Sequence, residues 1–171
     1  AAISSAFDAY LENGAFPELI DVHSKRMYLN NIYQRIYLGD IIARNGIGNE
    51  FAVRLFLKKI AESVCHPLSY SRLTRIVTGS GLDRETTPKY YFMDTGLLHL
   101  LVLDGVTAAL ENLAAIELVR RYGMDQVYYY ERNIKVDFYI PEKKMAVQVC
   151  YFLHQSAETL EREVGGLLKL N

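Results

Sequence analysis

Apolar positions in the first half of the chain recur at helical spacing, and in the second half they change over to alternation. Phe7, Tyr10 and Leu11 share one face of a short helix that Ser5 is placed to cap and Gly14 to close. Phe16-Pro17 then requires extended backbone, because the proline ring crowds the residue before it. A longer helix is predicted from Ser24 to Arg44, with Leu29, Ile32, Tyr33 and Ile36 as its stripe and Asn45-Gly46 as its stop. Asp40 continues that stripe, so its carboxylate is expected to face protein. Asn49 is the expected cap of a third helix, in which Val53, Phe56, Leu57, Ile60, Ala61 and Val64 keep the period until Pro67 breaks it. Ser69 then caps a short predicted helix carrying Leu73, Ile76 and Val77.

Past Gly79-Ser80-Gly81 the character changes. Lys89–Met93 reads as a short strand, Thr95–Leu103 as a helix, and Val106–Tyr122 as a longer helix ended by Gly123. Three strand-like runs follow, at Gln126–Glu131, Ile134–Ile140 and Lys144–Phe152. In the second, Ile134, Val136, Phe138 and Ile140 alternate with Lys135, Asp137 and Tyr139. Ser156 caps a last helix with Leu160, Val164, Leu167 and Leu168 along one side, weakened by Gly165-Gly166. The expected fold class is α+β. A helical half over 1–80, containing part of a winged helix-turn-helix, precedes an α-β-β-β-α half over 81–171 with the layout of a restriction-endonuclease-like core.

That layout directs attention to the acids. In a two-metal phosphodiesterase built this way, a helix acid, an aspartate on the second strand and an acid-x-Lys on the third hold the cation and activate water. The chain offers Glu111 and Glu117 on the helix and Asp137 on the strand, but the third strand reads Gln148-Val149-Cys150. Glu111 or Glu117, Asp137 and Gln148 supply three oxygens of the kind magnesium prefers. An amide brings no charge, however, and Cys150 brings no ammonium. The five residues therefore read as a vestigial site, with no catalytic residue and no metal expected. Glu117 falls inside the stripe of Leu110, Leu113, Ala114 and Leu118, which predicts a buried carboxylate paired with Arg120, Arg121 or a backbone group.

The first half suggests a different chemistry. A long amphipathic helix, the Pro67 turn and a Ser69-capped helix make the first two helices of a helix-turn-helix, on which Ser71, Arg72 and Arg75 are the candidate nucleic-acid contacts. The recognition helix that should follow is not supplied, since 79–88 is loop-like.

Composition changes this picture little. The chain has 171 residues and a net charge of −1, so its total charge does not point to a nucleic acid or a membrane. No apolar run approaches the ~18 residues that span a bilayer. Cys65 and Cys150 lie in apolar patterns without metal-ligand or redox spacing, and His23, His66, His99 and His154 are scattered, which predicts a reduced, cytoplasmic protein. There is no G-x-x-x-x-G-K-[ST], so no phosphate loop lies in this chain. It does not begin with methionine, and is expected to be part of something longer.

Several pieces run in an order that resembles the C-terminal region, a domain of unknown function, of bacterial and archaeal AAA-type ATPases. They are Phe7-Asp8-x-Tyr10-Leu11-x-x-Gly14-x-Phe16-Pro17-Glu18, Tyr37-Leu38-Gly39-Asp40-Ile41, Ser69-Tyr70-Ser71-x-Leu73 and Lys89-Tyr90-Tyr91-Phe92-Met93-Asp94-Thr95-Gly96-Leu97. Leu110-Glu111-Asn112-Leu113, Glu117-Leu118, Tyr128-Tyr129-Tyr130 and Val136-Asp137-Phe138 complete the series. The resemblance implies a winged-helix-like middle and a degenerate PD-(D/E)XK nuclease-like end. It also implies an upstream ATPase module in the same polypeptide, which alone would carry ATP and magnesium. The family commonly ends the third strand in Glu-x-Lys and has several tens more residues before Lys89, and this chain departs from both. The expected function is a non-catalytic accessory region recognising nucleic acid, DNA being one candidate, or a protein substrate, off the membrane, with a homo-oligomer compatible. A metal-dependent endonuclease and a plain protein-interaction module are the alternatives.

Overall fold

A computed structural model describes residues 2–69, 87–102, 106–131, 134–151 and 156–168. The chain divides into two compact units, Ala1–Gly105 and Val106–Asn171. The boundary read from the sequence, at 80/81, lies outside the described residues.

The first unit is helical. Helix α1 (Ala2–Asn13) begins before Ser5, which sits inside it rather than capping it. Gly14 closes α1 at φ +85°, its N–H donating to the Tyr10 carbonyl at 2.8 Å. Only a residue without Cβ takes that conformation at little cost. A 3-10 turn (Pro17–Ile20) buries Leu19 and leads to α2 (Lys25–Gln34), where Ser24 holds the cap position without a side-chain hydrogen bond.

The predicted helix to Arg44 is continuous but changes kind. Residues Arg35–Ala43 form a π-helix, with the Arg44 N–H donating to the Gly39 carbonyl and the Ile47 N–H to that of Ile42. Each such turn takes up one residue more than an α turn, so the inward face slips along the sequence. Tyr37 is fully buried where Ile36 was expected, and Ile36 is 38% exposed. The Tyr37 ring stacks on Tyr33 at 5.6 Å, and its hydroxyl donates to the Glu50 carbonyl at 2.7 Å. The same slip corrects the expectation for Asp40, which faces solvent and pairs with Arg44 at 3.3 Å. The Asn45 amide then caps the Asp40 and Ile41 carbonyls at 3.2 and 2.9 Å.

Asn49 caps α3 (Glu50–Glu62) as expected, its Oδ1 accepting from the Ala52 N–H at 3.0 Å. The helix stops before Pro67, in a turn where Cys65 adopts φ +66°. Pro67 instead forms a single antiparallel bridge with Lys89, which is all the structure shows of the strand expected at Lys89–Met93. The helix expected after Ser69 lies outside the described residues. Helix α4 (Thr95–Leu101) ends the unit and packs with α1, α2 and α3.

The second unit opens with α5 (Val106–Tyr122), closed at Gly123 as the sequence predicts. Strands β1 (Tyr128–Glu131), β2 (Lys135–Ile140) and β3 (Met145–Val147) form an antiparallel sheet in that order. The pairs Tyr128↔Tyr139 and Phe138↔Val147 set its register. Strand β3 is shorter than the run expected from Lys144 to Phe152. Val136, Phe138 and Ile140 are buried on one face, but the other face is not a solvent face, since Asp137 is 3% exposed. Helix α6 (Ala157–Leu168) starts where Ser156 accepts from the Thr159 N–H at 3.0 Å. Of its predicted stripe Leu167 is half-buried, while Leu160, Val164 and Leu168 are 42%, 38% and 71% exposed. The fold is thus α+β with a small three-stranded sheet.

Candidate functional site

The buried acid of β2 organises the second unit. Asp137 Oδ2 accepts from the Val149 N–H at 3.0 Å, and the Asp137 N–H donates to Gln148 Oε1 at 3.2 Å. The other end of that amide, Gln148 Nε2, donates to Glu163 Oε2 on α6 at 2.7 Å. Glu163 Oε1 in turn accepts from Arg162 Nη2 at 2.7 Å and Nε at 3.0 Å. Hydrogen bonding to Glu163, followed by its charge, raises the Arg162 pKa above the ordinary guanidinium value. An uncharged amide therefore ties the β2 backbone to a carboxylate 15 residues further on. Cys150 is a half-buried free thiol.

Oxygens around Asp137 are engaged with protein donors. Magnesium takes several hard oxygens, yet Asp137 Oδ2, Gln148 Oε1 and Glu163 Oε2 each accept a protein N–H. Among the described residues no three His, Cys, Asp or Glu side chains are grouped to hold a metal ion.

The helix acids separate. Glu111 is 8% exposed, and Asn112 beside it is fully buried. Glu117 corrects the expectation of a buried carboxylate: its side chain is 35% exposed. It pairs with Arg120 at 2.8 Å and with Arg121, whose hydrogen bond is the first cause of a lowered Glu117 pKa, Arg120 the second. The buried line of α5 runs through Ala109, Asn112, Ala115 and Leu118, with Glu111 beside it, so of the predicted stripe only Leu118 is buried. A wheel weighted by leucines misplaces that line by about one residue. Glu163 was missed for a related reason: assigning the α6 leucines to the core turns its acid outward on paper.

The first unit brings together two sequence motifs that lie far apart in the chain. Asp94 caps α4, Oδ1 accepting from the Leu97 N–H at 3.1 Å, while Oδ2 accepts from the Ala15 N–H at 2.7 Å. Thr95 Oγ1 donates to the Tyr10 carbonyl at 3.3 Å. The approach leaves no room for side chains on the two glycines. A Cβ on Gly14 would lie 2.7 Å from Asp94 Cγ, and one on Gly96 would lie 2.5 Å from the Asn13 carbonyl carbon. The Gly14 and Asp94-Thr95-Gly96 motifs are thus one joint between α1 and α4.

Ser71, Arg72 and Arg75 lie outside the described residues, so their placement as a nucleic-acid interface is not described. No helix among the described residues is long and apolar enough to cross a membrane. Comparison with protein-family models, with curated proteins and with solved structures finds no match for this chain.

Proposed function

We propose that the chain is a non-catalytic accessory region of an AAA-type ATPase, active in the cytoplasm, that presents a recognition surface for nucleic acid to a motor module of the same polypeptide. The observation that carries this reading is the Gln148 bridge. At the position where a nuclease-like core needs an acid, an uncharged amide accepts from the Asp137 backbone N–H and donates to Glu163, which supports a non-catalytic reading. The Gly14–Asp94 joint supports the family resemblance, because two of its motifs meet through their most constrained residues.

The test is incubation with plasmid, linear and single-stranded DNA plus magnesium or manganese, beside a binding titration over a range of salt. The expected result is binding that weakens steeply with salt, as counterions are released, and no cleavage. Charge reversal of Arg72 and Arg75 should lower the affinity and shallow the salt slope. Cleavage that disappears in Asp137→Ala would overturn the reading in favour of a metal-dependent endonuclease. A second reading, a protein-docking module, is favoured by the exposed Leu160, Val164 and Leu168 on α6. It requires partner binding that is largely indifferent to salt.

A further inference from the structure

Helices α2 and α4 border a cavity of about 440 Å3 in the first unit, a volume typical of small-ligand sites. Met27, Leu100, Leu101 and the Tyr33 ring supply apolar lining, while Ser24, Arg26 and Asn30 supply polar groups. One face of Tyr33 is covered by Tyr37. Burial, and then the neighbouring Tyr37, raise the Tyr33 pKa, so its hydroxyl remains a donor well above neutral pH.

These exposed polar groups have spare bonding capacity. Arg44, Arg54, Arg120, Arg121 and Arg162 each have a carboxylate in ion-pair range. Arg26, like Arg35, has none among the described residues, and of these two only Arg26 borders the cavity. The Ser24 hydroxyl makes no capping hydrogen bond, and the Asn30 amide has no side-chain partner among the described residues. The groove is open to solvent, with Met27 64% exposed, and combines apolar surface with convergent polar groups, as small-molecule sites do.

We propose that this cavity binds a small amphipathic carboxylate. The Arg26 guanidinium receives the carboxylate through its two-pronged donor face. Asn30 and Ser24 complete the hydrogen bonding, and the apolar body of the ligand lies against Leu100, Leu101, Met27 and Tyr33. A single lining cation matches one negative charge, whereas a phosphate dianion would remain under-neutralised. Nothing in this assignment depends on the accessory-region reading, since it concerns the first unit alone.

The experiment uses the full chain, with 1-naphthoate as the probe and 1-naphthalenemethanol as its uncharged counterpart. Binding is followed through the methyl resonances of Met27, Leu100 and Leu101. Saturable binding of the carboxylate that shifts these methyls is expected. A charge-assisted hydrogen bond changes affinity by about ten- to a hundredfold, so Arg26→Met and the neutral probe should each weaken binding at least about tenfold. Arg26 is exposed, and a thermal melt of Arg26→Met should coincide with that of the parent. Asn30→Leu, a second exposed position, should weaken binding by a smaller factor. Absence of saturation up to about 10 mM, a scale at which even a weak site fills, would overturn the proposal. Equal affinity of Arg26→Met, equal affinity for the neutral probe, or shifts confined to other methyls would do the same.

Discussion

Replacing Asp94 by alanine tests the joint between α1 and α4 directly. Two separate losses follow. The α4 cap disappears with the bond from the Leu97 N–H, which typically costs ~0.5–2 kcal/mol. The Ala15 N–H, held at 2.7 Å, loses a charged acceptor in a place where Asp94 itself is only 8% exposed. Stranding such a donor costs about 1–3 kcal/mol. Together the change should remove about 2–4 kcal/mol, a large part of the ~5–15 kcal/mol that holds a typical domain. For a unit of this size the midpoint should fall by on the order of 10 °C or more. Asp94→Asn keeps one oxygen but turns an amide NH2 toward one of the two donors, so it should fall between alanine and the parent. Gly14→Ala supplies a cross-check. In the parent its Cβ meets the Asp94 carboxylate as well as an unfavourable φ of +85°, and in the Asp94→Ala background only the backbone strain remains. The double mutant should therefore be less destabilised than the sum of the singles. Far-ultraviolet circular dichroism melts in denaturant read the parent and the four variants. An Asp94→Ala stability within about 0.5 kcal/mol of the parent, the range of ordinary surface changes, would refute the joint.

Three further outcomes are expected. Gln148→Glu sets a carboxylate against Glu163, whose side chain is 14% exposed, and should destabilise the second unit by about 1–3 kcal/mol at neutral pH. The deficit should shrink as acid neutralises the pair, and a pH-independent deficit in melts would count against the bridge. Tyr37→Phe removes the hydroxyl bonded to the Glu50 carbonyl and should cost about 1 kcal/mol in denaturant melts; a neutral effect would contradict the π-helix register. Glu117 has a lowered pKa, so its pairing stabilises the fold above the ordinary carboxylate range and is lost as pH falls through the lowered value. Being largely solvent-screened, it should leave the neutral-pH melt of Glu117→Ala almost unchanged, and a large loss there would restore a buried role.

Much of the local structure was legible from punctuation. Asn49, Ser156, Gly14 and Gly123 mark helix ends because each solves a backbone problem that no tertiary contact alters. The inward faces were less legible. Asp40 and Glu117 were misplaced, and Glu163 was passed over, because hydrophobic periodicity assumes one helical pitch and rewards leucine over alanine. The π-helix breaks the first assumption, and the Ala109–Asn112–Ala115 line of α5 breaks the second. In the candidate site, Asp137 and Gln148 were both marked as candidates, but they meet through the Asp137 backbone N–H, and Glu163 reaches them only through the docking of α6. The Asp94 joint depends on an equally long-range approach, and the glycines at its two ends were the residues that betrayed it.

The π-helical stretch also sets how the first unit can change over evolutionary time. A wider turn absorbs an additional residue without opening a loop, so a single deletion within Arg35–Ala43 can be met by rewinding to α pitch. The positions downstream would then keep their neighbours while those within the stretch exchange places. Substitution tolerance should accordingly be low at 29 and 37, which are buried, and high at 40, which faces solvent. An aligned set of chains that treats this stretch as uniform helix would compare Tyr37 of one protein with the solvent-facing position of another.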